Sequence, residues 1–391
     1  MMDIIFFVIF IIIFIAIVLT ITKKKYIVSP AMFFIYFTFY YPIGLYFAQS
    51  QYSGDVPIFF LNRMDLLNEI IFTAIISASF FILFYFTSNN TNKIKFDFLI
   101  NKKLAVFVFL MLFFPLVIYG NEYGWHALTH YRTIDLSWQT TLYAYVRYTF
   151  IVLSLILFAS KNTKSKEIFI IFGLNVVVML IDGARTTFFG LILGYLYIIY
   201  RKGYNISFSK NIFIVLLILL LPAIRALVLG GSFINDFIAG ITIESTMGGY
   251  TAMQAVYATD KVGYIYGASY VLDPIIYMLP KFLRDDLLLF PQHVNFNNLS
   301  GEDFSPMGGY YYIGEVYSNF GILGGVIIGA GYGYILKKIE NIKPKYVMLS
   351  IFFVSTFGAT FAKQNFANEF KIFIVYIIIG WFLKKLLIRK V

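Results

Sequence analysis

The residues best suited to chemistry lie in the stretch Ser305–Gly321, which reads SPMGGYYYIGEVYSNFG. This stretch closes a polar segment of about 80 residues and leads into an apolar run. A helix would place Glu315 and Asn319 on one face, because they are four residues apart. A carboxylate at the mouth of a membrane helix is costly to desolvate, which favours a functional role for Glu315. The alternative is that Glu315 lies among the lipid headgroups and is simply hydrated.

The apolar run after Glu315 carries a glycine at every fourth position. Small residues at this spacing let two helices approach closely in a membrane. The pattern therefore predicts a helix that packs firmly against a neighbour and holds Glu315 at its outer end. Such fixed geometry is what a general base requires. The glycines are Gly321, Gly325, Gly329 and Gly333.

A second motif is the sequence DGAR, which separates two apolar runs at 167–181 and 186–200. Each run has about 15 residues, whereas a bilayer core needs about 20, so the break should lie at or just below the outer interface. Asp182 and Arg185 are three residues apart and can meet on one helical turn. Arginine matches phosphate oxygens bidentately, so Arg185 would bind an anionic lipid headgroup while Asp182 orients it. The alternative is a self-neutralised ion pair in a tight turn.

Further polar residues surround these two motifs. Arg225, in LLPAIRALVLGG, either contacts the same anion or extends to the interface. His293 is either a general base or a surface polar residue. The tyrosines near the polar segment form either an interfacial aromatic belt or a surface that stacks on sugar rings. The predicted substrate-binding residues are Arg225, Asp182, Asn319, Arg284, Tyr311, Tyr312, His293 and Glu244.

No metal or cofactor is predicted. His126 and His130 are four residues apart in WHALTHYR, but no glutamate follows the first histidine as it does in zinc proteases. The chain has no Cys, so thiolate ligands and disulfides are ruled out. Arg132 and Arg147 flank this histidine segment and would add positive field to an anion site.

The composition is that of an all-α polytopic membrane protein. The 391 residues are 60% hydrophobic and only 13% charged, whereas soluble domains are nearer half apolar and a quarter charged. The apolar runs have helix length and not the length of barrel strands. The net charge of +11 comes from short lysine clusters between these runs, which is typical of cytoplasmic loops. No basic face interleaved with aromatic residues is present, so nucleic acid is not an expected partner.

The apolar runs predict about 11 transmembrane helices. The alternate loops assigned to the inside hold 21 of the 31 Lys and Arg residues, which places the N-terminus outside and the C-terminus in the cytoplasm. The first run has its positive charges after it and no visible cleavage site, so we interpret it as a retained span. The predicted spans are 3–22, 27–48, 66–87, 104–120, 141–160, 167–181, 186–200, 211–229, 313–336, 346–362 and 370–383.

This topology divides the chain into three parts. Residues 1–229 hold spans 1 to 8, and residues 313–391 hold spans 9 to 11. The segment 230–312 is then one long extracytoplasmic loop. Apolar pieces such as VLDPIIYMLPKFL predict short helices that lie at the membrane surface within this loop.

The layout and two stretches, DGARTTFFG and SPMGGYYYIGEVYSNFGILGG, resemble the bacterial oligosaccharide repeat-unit polymerases, the Wzy-type O-antigen and capsule polymerases. The resemblance covers the whole chain in layout, but in residues it covers only these two stretches. It implies a GT-C-like membrane glycosyltransferase in the bacterial inner membrane. Such an enzyme moves a growing glycan from undecaprenyl pyrophosphate onto a new lipid-linked repeat unit. A partner that controls chain length is also implied.

Within this resemblance, Glu315 would deprotonate the attacking sugar hydroxyl. Arg185 and further arginines would neutralise the charge that develops on the pyrophosphate leaving group, without a metal. The tyrosine-rich loop would hold the sugars, and the spans would form a groove for the polyprenyl chains.

Two other functions remain open. An O-antigen ligase, or another glycosyltransferase that uses lipid-linked sugars, would differ only in its acceptor. A polysaccharide flippase or other transporter usually shows internal repeats and mid-membrane charges. This chain shows no repeat, and its charged candidates gather on the predicted outer side.

Overall fold

The computed structural model describes residues 2–24, 28–51, 63–87, 96, 98–123, 138–182, 185–203, 233–279, 311–363 and 365–389. Most of these residues are helical, and two short strands form one antiparallel sheet. The predicted all-α class is therefore confirmed. The helices are α1 Met2–Lys24, α2 Pro30–Gln51, α3 Met64–Phe86, α4 Lys102–Tyr123, α5 Trp138–Ala159, α6 Ser165–Asp182, α7 Arg185–Arg201, α8 Phe233–Val262, α9 Ala268–Ile276, α10 Tyr312–Phe320, α11 Leu323–Glu340, α12 Val347–Thr360 and α13 Phe366–Leu387. The strands are β1 Leu99–Ile100 and β2 Ile388–Arg389.

The helices fit a membrane protein. Among the described residues, three helical segments are long and apolar enough to cross a membrane, namely Ile4–Lys23, Asp65–Phe86 and Leu142–Ala159. Large apolar side chains also point outward, as Phe7 on α1 and Phe107 on α4 do, with exposed fractions of 63% and 60%. Outward apolar surface of this kind suits a lipid bilayer. The count of about 11 spans stays a prediction, and span 8, at 211–229, lies outside the described residues.

The chain forms two compact units. Unit 1 comprises Met1–Asn90, Asn235–Ile339 and Thr360–Lys371, and unit 2 comprises Thr91–Ile234, Glu340–Ala359 and Ile372–Val391. This division follows contacts, whereas the predicted division at 1–229, 230–312 and 313–391 follows the sides of a membrane. The side of the membrane that each part of the chain faces stays a prediction.

Unit 1 has an aromatic core. Phe34 on α2 and Phe81 on α3 have ring centroids 4.4 Å apart, and Tyr332 on α11 stacks on Phe361 at 4.3 Å. Phe34 also lies 5.4 Å from the ring of Tyr312 on α10. Aromatic pairs in such geometries contribute more than their buried area alone. This cluster therefore fixes α10, which carries Glu315, against the first helices of the chain.

The segment predicted to hold only short surface helices contains a long buried one. Helix α8 has 30 residues and is largely buried from Thr246 onward. A Cβ at Gly314 of α10 would lie 3.0 Å from Cα of Ala252 in α8, so the two helices touch backbone to backbone. The prediction for 230–312 is corrected to this extent. Helix α9 does match the predicted short helix, with nine residues and outward apolar side chains such as Val271.

The predicted span 313–336 is two helices and not one. Helix α10 ends at Phe320, and Gly321 has a φ of 61°, a left-handed conformation that strongly favours glycine. A Cβ at Gly321 would also lie 3.0 Å from Oη of Tyr264. The chain then re-enters a helix at Leu323. The break falls between Glu315 and the glycine stripe, so α10 is a short separate element.

The stripe itself packs as predicted, except for Gly321. A Cβ at Gly325 would lie 2.7 Å from the carbonyl oxygen of Thr73, and one at Gly333 would lie 2.8 Å from that of Phe81. Gly329 lies against the backbone of Ser77 in the same way. Three glycines on α11 therefore allow close contact with the backbone of α3.

Gly329→Ala is expected to lower the free energy of unfolding by about 1–3 kcal/mol, because its methyl group would overlap the Ser77 carbonyl. Gly331→Ala, on the same helix, is the control, because nothing lies within 4 Å of its Cβ position. Chemical or thermal unfolding of the detergent-solubilised protein measures both. Equal stability of the two variants would contradict this packing.

Unit 2 is built around α5, which packs against α4, α6 and α7. Strands β1 and β2 pair antiparallel, with Leu99 opposite Arg389 and Ile100 opposite Ile388. The side-chain amide of Asn162 donates to the carbonyl of Ile100 at 2.9 Å and accepts from its N–H at 3.2 Å. The end of the chain, which was predicted only as a basic tail, is therefore tied to the segment before α4.

Basic residues from the predicted cytoplasmic clusters cap helix C-termini. Nζ of Lys23 donates to the carbonyl of Phe86, the last residue of α3, at 3.0 Å. Nζ of Lys202 donates to Phe158 near the end of α5 at 2.9 Å, and the buried guanidinium of Arg201 donates to the carbonyl of Glu340, the last residue of α11. Cations at helix C-termini are favourable because free carbonyls and the helix dipole meet there.

The predicted sidedness is directly testable because the chain has no Cys. We expect a cysteine at Lys261, at the end of α8, to react with a membrane-impermeant maleimide on intact cells. We expect a cysteine at Lys345 to react only after the cells are lysed, since its loop belongs to a basic cluster. Both lysines are exposed. The opposite labelling pattern would reverse the topology.

Candidate functional site

The candidate site is a buried hydrogen-bonded cluster in unit 1, which we call the Glu315 cluster. It consists of Glu315, Asn319, Ser269 and the backbone N–H of Phe366. Glu315 is 2% exposed, and every residue of α10 from Tyr312 to Asn319 is buried. The alternative in which Glu315 is hydrated among headgroups does not describe this arrangement.

Two donors in the described part of the chain hold the Glu315 carboxylate. Oγ of Ser269, in α9, donates to Oε1 at 3.0 Å, and the N–H of Phe366 donates to Oε2 at 3.1 Å. Phe366 is the first residue of α13, so the carboxylate lies at a helix N-terminus. Free N–H groups and the positive end of the helix dipole stabilise an anion at that place. The two bonds fix the orientation of the carboxylate plane.

Asn319 supports this carboxylate through Ser269. Nδ2 of Asn319 donates to Oγ of Ser269 at 2.8 Å and to the backbone carbonyl of Glu315 at 2.7 Å. The predicted shared face of Glu315 and Asn319 is thereby confirmed. Asn319 is fully buried, and its Oδ1 has no hydrogen-bond donor in the described part of the chain. A buried acceptor of this kind calls for a donor.

Helix α9 is held against α10 by a glycine and a backbone bond. Gly267, just before α9, has a φ of 85°, and a Cβ there would lie 2.8 Å from Cζ of Phe320. The N–H of Ile265 donates to the carbonyl of Ser318 at 3.0 Å. These contacts bring Ser269 within reach of Glu315, although the two residues are 46 positions apart.

Tyr270 lies next to the Glu315 cluster, and the negative charge of Glu315 affects its pKa. Its ring stacks on Phe320 with centroids 6.3 Å apart and meets Phe366 edge-on at 5.4 Å. Burial, and then the charge of Glu315, raise the pKa of the Tyr270 phenol well above its ordinary value. Burial and the charge of Glu315 therefore both favour the neutral form of this phenol.

Tyr311 and Tyr312 anchor the start of α10. The hydroxyl of Tyr312 lies 2.9 Å from Oγ of Ser77 and 3.1 Å from Oγ1 of Thr38, and the hydroxyl of Tyr311 donates to the carbonyl of Thr38. The two residues are 1% and 2% exposed. Their prediction as sugar-binding residues stays a prediction, but this conformation gives both rings a packing role in the core.

The other predicted site residues lie elsewhere. In unit 2, Asp182 is the last residue of α6 and Arg185 is the first residue of α7. Glu244 lies within α8. The remaining predictions fall outside the described residues, namely Arg225, Arg284, His293, His126, His130 and Arg132.

Sequence reasoning missed three members of this neighbourhood. Nothing in the pattern around Ser269 marks it as a partner of Glu315. The helix start at Phe366 did have a signal, because Asn365 precedes an apolar run and its Oδ1 accepts the N–H of Asn368 at 2.8 Å. Glu369, in the same first turn, is 1% exposed and shares a side-chain hydrogen bond with Thr360.

Comparison with known proteins found no match to this chain. No family model, no curated protein and no solved structure matches this chain.

Proposed function

We propose that this chain is a glycosyltransferase of the bacterial inner membrane that polymerises undecaprenyl-pyrophosphate-linked repeat units into O-antigen or capsular polysaccharide. The observation that supports the proposal most is the Glu315 cluster, a buried carboxylate held by two donors at the start of a broken helix. The proposal includes about 11 spans, a GT-C-like fold and a segment 230–312 that meets the substrate on the outer face.

In the proposed reaction, Glu315 takes the proton of a hydroxyl on the acceptor sugar. The resulting oxygen attacks the anomeric carbon of the donor glycan. A new glycosidic bond forms while the bond between that carbon and the pyrophosphate oxygen breaks, and undecaprenyl pyrophosphate leaves. Arg185 balances the negative charge that grows on the leaving group.

The cluster fits the demands on a base. Ser269 and the Phe366 N–H keep the carboxylate oriented. The side chain therefore loses little conformational entropy when it reaches the reactive geometry. The buried Oδ1 of Asn319 is an acceptor for a sugar hydroxyl, and sugars carry many such donors. Burial also strengthens each of these polar interactions relative to water.

The test is an incubation of the purified full-length protein, in vesicles, with a repeat unit linked to undecaprenyl pyrophosphate. We expect a ladder of lipid-linked glycans that grows in steps of one repeat unit. Consumption of the donor with transfer to a lipid A core acceptor alone would indicate a ligase. Movement of intact lipid-linked sugar across the vesicle, without any new glycosidic bond, would indicate a flippase and overturn the proposal.

A further inference from the structure

The polar link between α12 and α13 carries a charge that the proposed reaction does not use. Lys363 lies in this link, Asn365 precedes α13, and Asn368 lies in the first turn of α13. All three side chains are partly exposed. The depth of the link in the membrane decides what these polar groups can face, and the candidate span Asp65–Phe86 of α3 provides a ruler for that depth.

Helix α11 runs alongside α3 in the same direction. Gly325 contacts Thr73, and Gly333 contacts Phe81, so both helices advance by eight residues between these two contacts. Each level of α11 can therefore be read against α3. By this register, α11 begins about 9 Å inside the Asp65 end of α3.

Helix α10 runs beside α11 in the opposite direction. Near the break, a Cβ at Gly324 would lie 2.6 Å from the carbonyl oxygen of Val316. Farther along, the rings of Tyr312 and Tyr332 both pack on Phe361, with centroids 5.7 and 4.3 Å apart. The first residue of α10 is therefore level with the middle of α11.

The start of α10 lies near the middle of the span. The hydroxyl of Tyr312 lies 2.9 Å from Oγ of Ser77, and Ser77 follows Asp65 by about 18 Å of helix. The whole candidate span has 22 residues, which is about 33 Å. The other end of α10 is close to the start of α3, because Tyr317 and Glu69 share a side-chain hydrogen bond. Helix α10 is therefore re-entrant and reaches about half of the membrane depth.

Helix α8 gives a similar depth independently. Its end is level with the start of α3, because Asp260 interacts electrostatically with Arg63. Ala252 contacts Gly314 of α10 and precedes Asp260 by about 12 Å of helix. The Glu315 cluster therefore lies about 12 Å inside this end of the span.

The link between α12 and α13 lies at the same depth. The N–H of Tyr312 donates to the carbonyl of Ala362 at 3.4 Å, and the N–H of Phe366 donates to Glu315 at 3.1 Å. Lys363 lies between these two contacts in the chain. Its backbone is therefore held well inside the span.

The side chain of Lys363 does not extend to the membrane surface. Its Nζ lies 5.8 Å from the ring centroid of Phe37, and the next residue, Thr38, has its Oγ1 3.1 Å from the hydroxyl of Tyr312. The ammonium therefore stays at the level of the start of α10. Lipid offers no partner to a charge at this depth, and backbone outside a helix occurs there only within protein or beside water.

We propose that α10 and the link between α12 and α13 line a water-filled vestibule in unit 1. The vestibule opens at the Asp65 end of α3 and brings a hydroxylated, water-soluble ligand to the Glu315 cluster inside the membrane. Lys363, Asn365 and Asn368 give its wall hydrogen-bond donors and acceptors. The vestibule rests on the depth of the helices. Its assignment to a sugar rests on the proposed function and places that sugar below the membrane surface.

The test measures the accessibility of single thiols, because the chain has no Cys. The full-length protein with Lys363→Cys is placed in nanodiscs and treated with a trimethylammonium methanethiosulfonate, which is water-soluble and excluded from lipid. Nanodiscs leave both faces open, so the result does not depend on sidedness. We expect Lys363→Cys to react about 100-fold faster than Phe72→Cys, because the thiolate is the reacting form and apolar surroundings suppress it.

Phe72→Cys is the matched control. Phe72 lies in α3, about 10 Å inside the Asp65 end, and its side chain is 45% exposed within the candidate span. It therefore has nearly the depth of the Glu315 cluster but faces lipid. Asn368→Cys is measured in parallel, so that the proposal stays testable if Lys363→Cys does not fold. After denaturation in SDS all three thiols should react equally, which confirms that each is present.

Reaction of both Lys363→Cys and Asn368→Cys as slowly as Phe72→Cys would overturn the vestibule, whereas fast reaction of either thiol would retain it. Preincubation with the lipid-linked repeat unit should slow the labelling of Lys363→Cys several-fold, and undecaprenyl pyrophosphate without a sugar should not. Equal protection by both would overturn the assignment of the vestibule to a sugar.

Failure of this inference is distinct from failure of the proposed function. A reactive Lys363→Cys, in a protein that makes no glycan ladder, would retain the vestibule and remove the polymerase. A glycan ladder from a protein whose introduced thiols react slowly would do the reverse.

Discussion

Glu315→Gln is expected to reduce the rate of glycan polymerisation by about 10²- to 10⁴-fold, the range that a positioned general base contributes. The amide oxygen can still accept the N–H of Phe366, and the amide NH2 can donate to Oγ of Ser269, so the contacts of the carboxylate are replaced, but the amide cannot take a proton. The variant should therefore fold while losing activity. The measurement is the initial rate of repeat-unit addition in vesicles, together with the melting temperature of the same preparation.

The control for this variant is Glu369→Gln. Glu369 is as buried as Glu315 and belongs to the same unit, but its side chain bonds to Thr360 and not to the Glu315 cluster. We expect polymerisation close to wild type. A ladder of normal rate and length from Glu315→Gln would show that the cluster only joins α9, α10 and α13. Loss of the ladder in Glu369→Gln alone would move the base to Glu369.

Arg185→Gln is expected to lower polymerisation by about 10²- to 10³-fold, the cost of removing one donor that stabilises charge in a transition state. The physical reason is that the pyrophosphate gains charge as the anomeric bond breaks, and a neutral amide does not balance it. Arg185→Lys should recover part of the rate, because the charge is kept but the two-point geometry is not. Rates at saturating donor separate this effect from weaker donor binding.

Arg63→Gln serves as the control, because Arg63 pairs with Asp65 at 2.6 Å in unit 1 and has no role in the proposed reaction. If Arg185→Gln changes only the donor concentration needed for half-maximal rate, then Arg185 binds the ground state and does not assist bond breaking. If it changes neither rate nor binding, the DGAR break is a structural turn and the leaving group needs another partner.

Helix positions were largely predictable because apolar length and basic flanks are local signals. The predicted spans 3–22, 66–87 and 141–160 correspond to α1, α3 and α5 with shifts of three residues or fewer. The glycine stripe predicted a close helix contact, and Gly325, Gly329 and Gly333 make one with α3. The identity of the partner helix was not predictable, because a small-residue stripe fits any backbone that can approach it.

The long helix α8 and the break at Gly321 show where local signals fail. Helix α8 carries many polar residues, so its hydrophobicity resembles that of a loop, yet Thr251 and Gln254 are each 3% exposed. The break at Gly321 interrupts a run whose composition is continuous. In both cases the backbone follows packing partners that are distant in sequence, such as Tyr41 against Gly248.

The sequence by itself determined the class of the protein and the chemically important residue types. Apolar runs of helix length specify an all-α membrane protein, and Glu315, Asn319, Asp182 and Arg185 stand out because polar groups beside such runs are costly. Tertiary structure alone decided what these residues contact. Ser269 and the Phe366 N–H reach Glu315 from 46 and 51 positions away. Hydrogen bonds and register depend on which helices pack together, and this choice is made by surfaces that no local pattern specifies.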